Sequence, residues 1–265
     1  MLPDPLTAFR LDDRVAIVTG ASSGLGERFA RVLAAAGARV VITARRADRL
    51  EVLASELPDA LVVPGDITED GMPARLVDAA IDRYGRLDVV VNNAGASDPV
   101  PVLAEPPEHF RATIALDLVA PFELARAAAR VMVERGERGT IVNVASIWGM
   151  VGVGQIPEAG YAASKGGVVN LTRELAAQWA RKGVRVNALA PGWFHTEMTD
   201  GVMFGSDGAE KWMRARTPMG RGGEAHELDG ALLFLASDAS SFVTGAVLAV
   251  DGGWTAIRWS RSLDR

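Results

Sequence analysis

Cysteine is absent from the 265-residue chain, which excludes disulfides, thiolate zinc sites and cysteine nucleophiles and fits a reducing compartment. Histidine is scarce as well. His109, His195 and His226 are far apart and share no ligand spacing, so no metal site is expected. No apolar run approaches the roughly 18 residues needed to span a bilayer. The opening stretch MLPDPLTAFRLDD lacks the basic-then-apolar order of a targeting segment. Lys and Arg number 28 against 33 Asp and Glu, and neither sign forms a block. That removes a phosphate-backbone footprint and a polybasic membrane anchor. The expectation is a soluble cytoplasmic protein that takes a small molecule and binds neither nucleic acid nor membrane.

The apolar share, 49% of the chain, suffices for one sizeable core. RVAIVTG, residues 14–20, is a near-continuous β-branched run of the kind buried on both faces of a parallel sheet. Further strands are predicted at 38–44, 60–66, 87–93, 139–146, 184–191 and 246–253. Helices are predicted at 25–36, 47–56, 73–84, 108–135 and 160–182, with two more before the last strand. The pattern predicts an α/β fold: a doubly wound, mostly parallel, seven-stranded Rossmann-type sheet with helices on both faces. One domain over 1–265 is expected. Two long irregular segments, 97–108 and 192–223, are expected to rim a site at the strand C-termini, the second as a substrate-site lid.

TGASSGLG, residues 19–26, ends the first strand and opens the first helix. Gly20, Gly24 and Gly26 permit a tight turn, and bare amides at a helix N-terminus make a pyrophosphate cradle. The spacing is not the G-x-G-x-x-G of larger dinucleotide domains, and by itself a glycine-rich strand-to-helix turn can bind nothing. At the end of the second strand, a carboxylate for ribose hydroxyls is missing. Ala44 is followed by Arg45 and Arg46, and arginine there accommodates a 2′-phosphate. NADP(H) is therefore favoured and NAD(H) remains possible. Arg45 carries more of that reading than Arg46, which reads more readily as a solvated charge.

GYAASKGG, residues 160–167, sets Tyr161 and Lys165 at i and i+4, on one helical face. A phenol titrates at about 10 and is a poor neutral-pH acid or base unaided. A neighbouring ammonium favours tyrosinate and lowers that value. The spacing alone also suits boundary packing beside a solvated lysine. Ser146, at a strand C-terminus, can donate to a carbonyl oxygen.

With these in place the chain resembles the short-chain dehydrogenase/reductase family. TGASSGLG, NNAG (92–95), Ser146, YAASK (161–165), APG with Thr196, and VDGG (250–253) occur in the family's order across nearly the whole length. The resemblance implies an NAD(P)H-dependent oxidoreductase interconverting a ketone and a secondary alcohol, with a Ser-Tyr-Lys triad. Ser146 would polarise the carbonyl, Tyr161 would transfer the proton, and Lys165 would tune Tyr161 and hold the nicotinamide ribose. Gly20, Ser22, Ser23, Gly24, Leu25 and Gly26 would meet the cofactor phosphates. Asp66 with Ile67 would lie at the adenine, Asn93, Ala94 and Gly95 at its ribose, and Pro191, Gly192, Phe194 and Thr196 at the carboxamide.

One expected residue is missing. Where many members carry asparagine in the helix before the Ser-bearing strand, bending it and anchoring a water linked to the lysine, this chain has Asp117. Asp117 is taken as a member of the catalytic group in altered form. Trp148, Met150, Val153, Gln155 and Ile156, with Trp193, Phe194, Met198, Met203, Phe204 and Trp212, suggest an apolar pocket for a medium-sized substrate. His195 is read as a surface loop residue. Leu171, Leu175 and Trp179, in i, i+4, i+8 register, resemble the family's dimer interface, and a homodimer or homotetramer is expected. Two alternatives remain: a non-catalytic NADP(H)-binding scaffold, and an NAD-dependent alcohol dehydrogenase of the same family.

Overall fold

The β-branched run at the start of the chain forms β1 (Val15–Thr19), buried at every position. Its side chains alternate between two cores: Ala16 and Val18 point to one, Val15 and Ile17 to the other. A computed structural model describes residues 4–200, 203–205 and 207–256. β2 (Arg39–Thr43), β3 (Ala60–Val62), β4 (Val89–Asn92), β5 (Gly139–Val144), β6 (Val184–Pro191) and β7 (Val247–Val250) complete one sheet in the order β3-β2-β1-β4-β5-β6-β7. Every neighbouring pair is parallel. The order reverses between β1 and β4, and in such sheets ligands bind in the crevice beyond the strand C-termini at that point.

α1 (Gly24–Ala35), α2 (Ala47–Ser55) and α8 (Asp229–Ala236) cover one face through Phe29, Leu33, Leu50, Leu53, Leu232 and Leu235. α3 (Met72–Tyr84), α5 (Ala120–Glu134) and α6 (Ala159–Trp179) cover the other through Leu76, Leu124, Ala128 and Leu175. α4 (Pro107–Ile114) precedes α5, and α7 (Asp207–Arg216) lies in the 192–223 segment. Among the described residues no helix is long and apolar enough to cross a membrane. The same residues contain no group of three His, Asp or Glu able to hold a metal.

Three expectations need correction. The helix predicted over 108–135 is interrupted by a π-helical turn, Ala115–Val119, in which the Ala120 amide bonds Ala115 O, an i+5 spacing that bulges the helix. Asp117 sits in that turn. The last strand ends at Val250 and not at 253, since Gly252 and Gly253 take positive φ (63° and 90°) and leave the ladder. β3 stops at Val62, short of the expected 66, although the Val63 and Gly65 amides still reach Ile42 O and Ala44 O beside it. Leu175 is buried beneath α6, while Leu171 and Trp179 beside it are half-buried.

Candidate active site

The glycine-rich turn passes from β1 into α1 with Gly20 and Gly24 at φ of 67° and 57°, a region that side chains other than glycine's rarely adopt. At Gly26 a Cβ would stand 2.2 Å from Gly20 O, so the helix can approach the turn only without one. Ser23 is the N-cap of α1 but makes no side-chain cap bond, which leaves first-turn amides open to an anion. The Ser23 hydroxyl instead accepts from Arg46 Nη2 at 2.6 Å, and Ser22 Oγ from Arg46 Nε at 3.1 Å.

The arginine over the turn is thus Arg46, not Arg45, whose side chain is exposed. Successive residues leaving a strand face opposite ways, and only the second reaches the serines. Arg46 and Arg49 both bond Glu197 from the 192–223 segment. The hydrogen bond from Arg49, with those of Ser23 and Arg46, holds the Glu197 carboxyl at about 2. A carboxylate therefore already occupies the clamp expected for a 2′-phosphate, and that clamp fits an anion.

Beyond β4, Asn93 donates through Nδ2 to Thr19 O at 2.9 Å, while Thr19 Oγ1 accepts from the amides of Asn93 and Ala94. These bonds tie the NNAG turn to the end of β1. Asp66 accepts from the Thr68 amide and hydroxyl at 2.9 and 2.7 Å. The Thr68 amide and then Arg45 draw its carboxyl below the usual range. Ile67 is buried in the core beside it.

Ser146 follows β5 and caps a short 3₁₀ turn, its Oγ accepting from the Trp148 amide at 3.2 Å. The hydroxyl proton faces the Tyr161 phenol and can be donated to a substrate oxygen. Tyr161 and Lys165 share the first turns of α6, with the ammonium 5.3 Å from the phenol ring centre. Lys165 is buried, donates to Val144 O at 3.1 Å, and lies 3.0 Å from Asp117 Oδ1. Asp117 Oδ2 accepts from the Ala96 amide at 3.3 Å.

Burial alone would push the Lys165 ammonium down, but the charge of Asp117, then that of Tyr161, carries it above its ordinary value. Burial raises the Tyr161 phenol; Lys165 and then the Ser146 hydroxyl pull it down, against Asp117 and Glu158, and the balance is upward. The expected depression by Lys165 is present but outweighed, because a phenolate in this environment is poorly solvated.

One cavity joins these groups. It is lined by Gly20, Ser23, Gly24, Leu25 and Gly26, by Asn93, Ala94 and Gly95, by Ser146, Tyr161 and Lys165, and by Pro191, Gly192, Phe194 and Thr196. Ser22, Arg46, Asp66, Ile67, exposed Arg45 and buried Asp117 lie outside its lining. Of the expected pocket residues, Trp148, Ile156, Trp193, Met198 and Met203 form its wall. Val153, Phe204 and Trp212 pack behind in an aromatic cluster, where the Trp148 and Trp193 rings meet edge-on at 4.8 Å. Gln155 and Met150 are exposed, as is His195. Four polar lining residues escaped sequence reasoning: Ser97, Glu158, Glu197 and Thr199. For Glu158 a signal existed, since it precedes Tyr161 by three positions, about one helical turn.

A family model described as enoyl-(acyl carrier protein) reductase matches residues 20–255. Galactitol 2-dehydrogenase (L-tagatose-forming) of Cereibacter sphaeroides is 43% identical over 95% of this chain and 99% of its own. Cis-4-hydroxycyclohexanecarboxylate dehydrogenase of Sinomonas cyclohexanicum is 44% identical over 92% and 98%. The crystal structure of a gluconate 5-dehydrogenase from Burkholderia cenocepacia, in complex with NADP and tartrate, superposes with a TM-score of 0.90. It shares 38% identity, covering 96% of this chain and all of that one.

Proposed function

Because the chain belongs to the short-chain dehydrogenase/reductase family and is an oxidoreductase of secondary alcohols and ketones, we propose that it works with NADP(H) in preference to NAD(H), on a medium-sized substrate held against an apolar wall. The observation that carries this reading is the placement of Ser146, Tyr161 and Lys165 on one cavity whose far rim is the glycine-rich turn. When bound, the nicotinamide supplies or accepts the hydride. Every other task falls to the chain.

The open α1 amides and the Arg46–Ser22–Ser23 clamp hold the phosphates. Asn93, Ala94, Gly95 and Lys165 hold the riboses, with Asp66 and Ile67 at the adenine. Pro191, Gly192, Phe194 and Thr196 flank the ring. The Ser146 hydroxyl steadies the carbonyl oxygen, and the Tyr161 phenol hands its proton to the alkoxide as it forms. In the oxidising direction both transfers reverse. A phenol held above its ordinary value stays protonated near neutrality, so the proton that carbonyl reduction consumes is in place. Lys165 keeps its charge through Asp117 and restrains the rise of Tyr161. Asp117 acts through Lys165 and is a positioning residue.

Residues 1–265 act as one cofactor-binding domain with 192–223 over the substrate side. Assembly as a homodimer or homotetramer belongs to the same proposal. Half-buried Leu171 and Trp179 on α6, with exposed Val119, Phe122 and Phe242, support it, and sedimentation would test it. The functional test is nicotinamide absorbance over a panel of secondary alcohols and ketones with each cofactor, for the native chain and Tyr161→Phe. Turnover lost by about a hundredfold or more in the variant, with cofactor binding kept, is the expected result. Cofactor binding with no turnover on any substrate would favour the scaffold alternative.

A further inference from the structure

We propose that Glu158 and Ser97 form a polar subsite that receives a second hydroxyl of the substrate, so that neutral diols and polyols are turned over in preference to monohydric alcohols and hydroxy acids. The proposal rests on the alcohol/ketone reading of the cavity and names the substrate class within it.

Glu158 is the N-cap residue of α6, one turn ahead of Tyr161, yet its carboxyl makes no cap bond with the helix. A carboxylate at a helix N-terminus ordinarily accepts from the first-turn amides. Here its side-chain partner is the Ser97 hydroxyl. A backbone bridge between Val100 and Glu158 fixes the two segments side by side, so the pair is built into the framework and is not a chance contact of two loose chains. Ser97 and Glu158 line the same cavity as Ser146 and Tyr161, and the Glu158 charge is felt at the Tyr161 phenol.

The nearby basic groups are engaged elsewhere. His109 faces Glu105 at 3.1 Å and Asp98 at 3.5 Å, and Lys165 faces Asp117 at 3.0 Å. Among the described residues Glu158 has no cationic partner. A half-buried carboxyl with one hydroxyl for company retains unused acceptor capacity, and it lines a cavity otherwise walled by Trp148, Ile156, Trp193, Met198 and Met203. A substrate hydroxyl next to the reacting carbinol supplies the missing donor. A substrate carboxylate would bring like charge to a poorly solvated place. The chain would then part company with its gluconate and cyclohexanecarboxylate relatives, and side with the neutral polyol named for the galactitol enzyme.

The test is kcat/KM of the full chain with its better cofactor on butane-2,3-diol, butan-2-ol, 3-hydroxybutanoate and 1-aminopropan-2-ol, for the native protein, Glu158→Leu, Glu158→Gln and Ser97→Ala. The expected native order is diol over butan-2-ol by about tenfold or more, with the hydroxy acid last. Glu158→Leu removes the diol advantage through KM, read as the ratio of diol to butan-2-ol so that the altered field at Tyr161 cancels. Glu158→Gln narrows the rejection of 3-hydroxybutanoate, and Ser97→Ala lowers the diol alone. A native preference for butan-2-ol or the hydroxy acid overturns the proposal. So does a uniform loss on all substrates, or a Glu158-dependent preference for the amino alcohol. Butan-2-ol turnover indifferent to Glu158, with no diol advantage, sinks the subsite but leaves the alcohol/ketone reading standing. Absence of turnover on every member, with either cofactor, sinks both.

Discussion

Asp117 Oδ1 stands 3.0 Å from Lys165 Nζ, with the carboxylate fully out of solvent and the lysine side chain 5% exposed. The contact joins four parts of the fold: the turn after β4 through the Ala96 amide, the π-helical turn, the end of β5 through Val144 O, and the first turns of α6. An asparagine there would complete the amide bonds without a charge. The carboxylate adds one, and its field reaches Tyr161 as well as Lys165.

Asp117→Asn will therefore move the pH profile of kcat to lower pH. The Asp117 charge raises the Tyr161 phenol, so its removal lowers it. Alcohol oxidation, which needs the phenolate, will gain its rising limb earlier, and carbonyl reduction, which needs the phenol, will lose activity earlier. Cofactor KM will change little. A profile superimposable on the native one would remove Asp117 from the proton-transfer group.

Asp117→Ala will cost more than the amide substitution. Both variants leave a buried ammonium without a counter-charge, a change worth about 3–5 kcal/mol, but asparagine keeps an oxygen for the Ala96 amide and Lys165 where alanine has none. Denaturant unfolding of the two variants checks the order, and equal losses would mean that the retained oxygen contributes nothing beyond the charge.

Gly95→Ala will disable the site without touching a reacting group. The added Cβ would stand 2.5 Å from Asp117 Oδ1 and 3.3 Å from Lys165 Nζ. Backbone or ion pair must shift, at about 1–3 kcal/mol. Activity falling by more than stability, with Ala94→Gly as the tolerated comparison, is the expected pattern of kcat and melting temperature.

Arg46→Ala will raise KM for NADP by roughly tenfold to a hundredfold, the worth of a charged hydrogen-bonding partner, and leave KM for NAD nearly unchanged. Arg45→Ala will do less. If Arg45 carries the larger effect in steady-state comparison of both cofactors, the clamp over Ser22 and Ser23 is not the phosphate site.

Local chemistry made most of this legible before any coordinates. The β-branched runs, the glycine spacing and the Tyr161–Lys165 interval are properties of a few adjacent residues, and each lies where sequence placed it. What escaped depends on contacts between distant segments. Choosing Arg46 over Arg45 requires knowing which way each side chain leaves β2. The sign at Tyr161 follows from burial as well as from Lys165, and burial is a property of the whole chain. Ser97 meets Glu158 across 61 positions, a pairing set by the Val100 bridge and invisible in either segment alone.

The carboxylate of Glu197 between Arg46 and Arg49 makes cofactor entry an exchange. One anion must leave the guanidinium pair as another arrives, so the site's net charge changes less than two exposed arginines would suggest. Added salt screens the incoming phosphate and loosens the outgoing carboxylate together, and the two effects oppose. Apparent affinity for NADP will accordingly vary with ionic strength more gently than a bare basic patch requires.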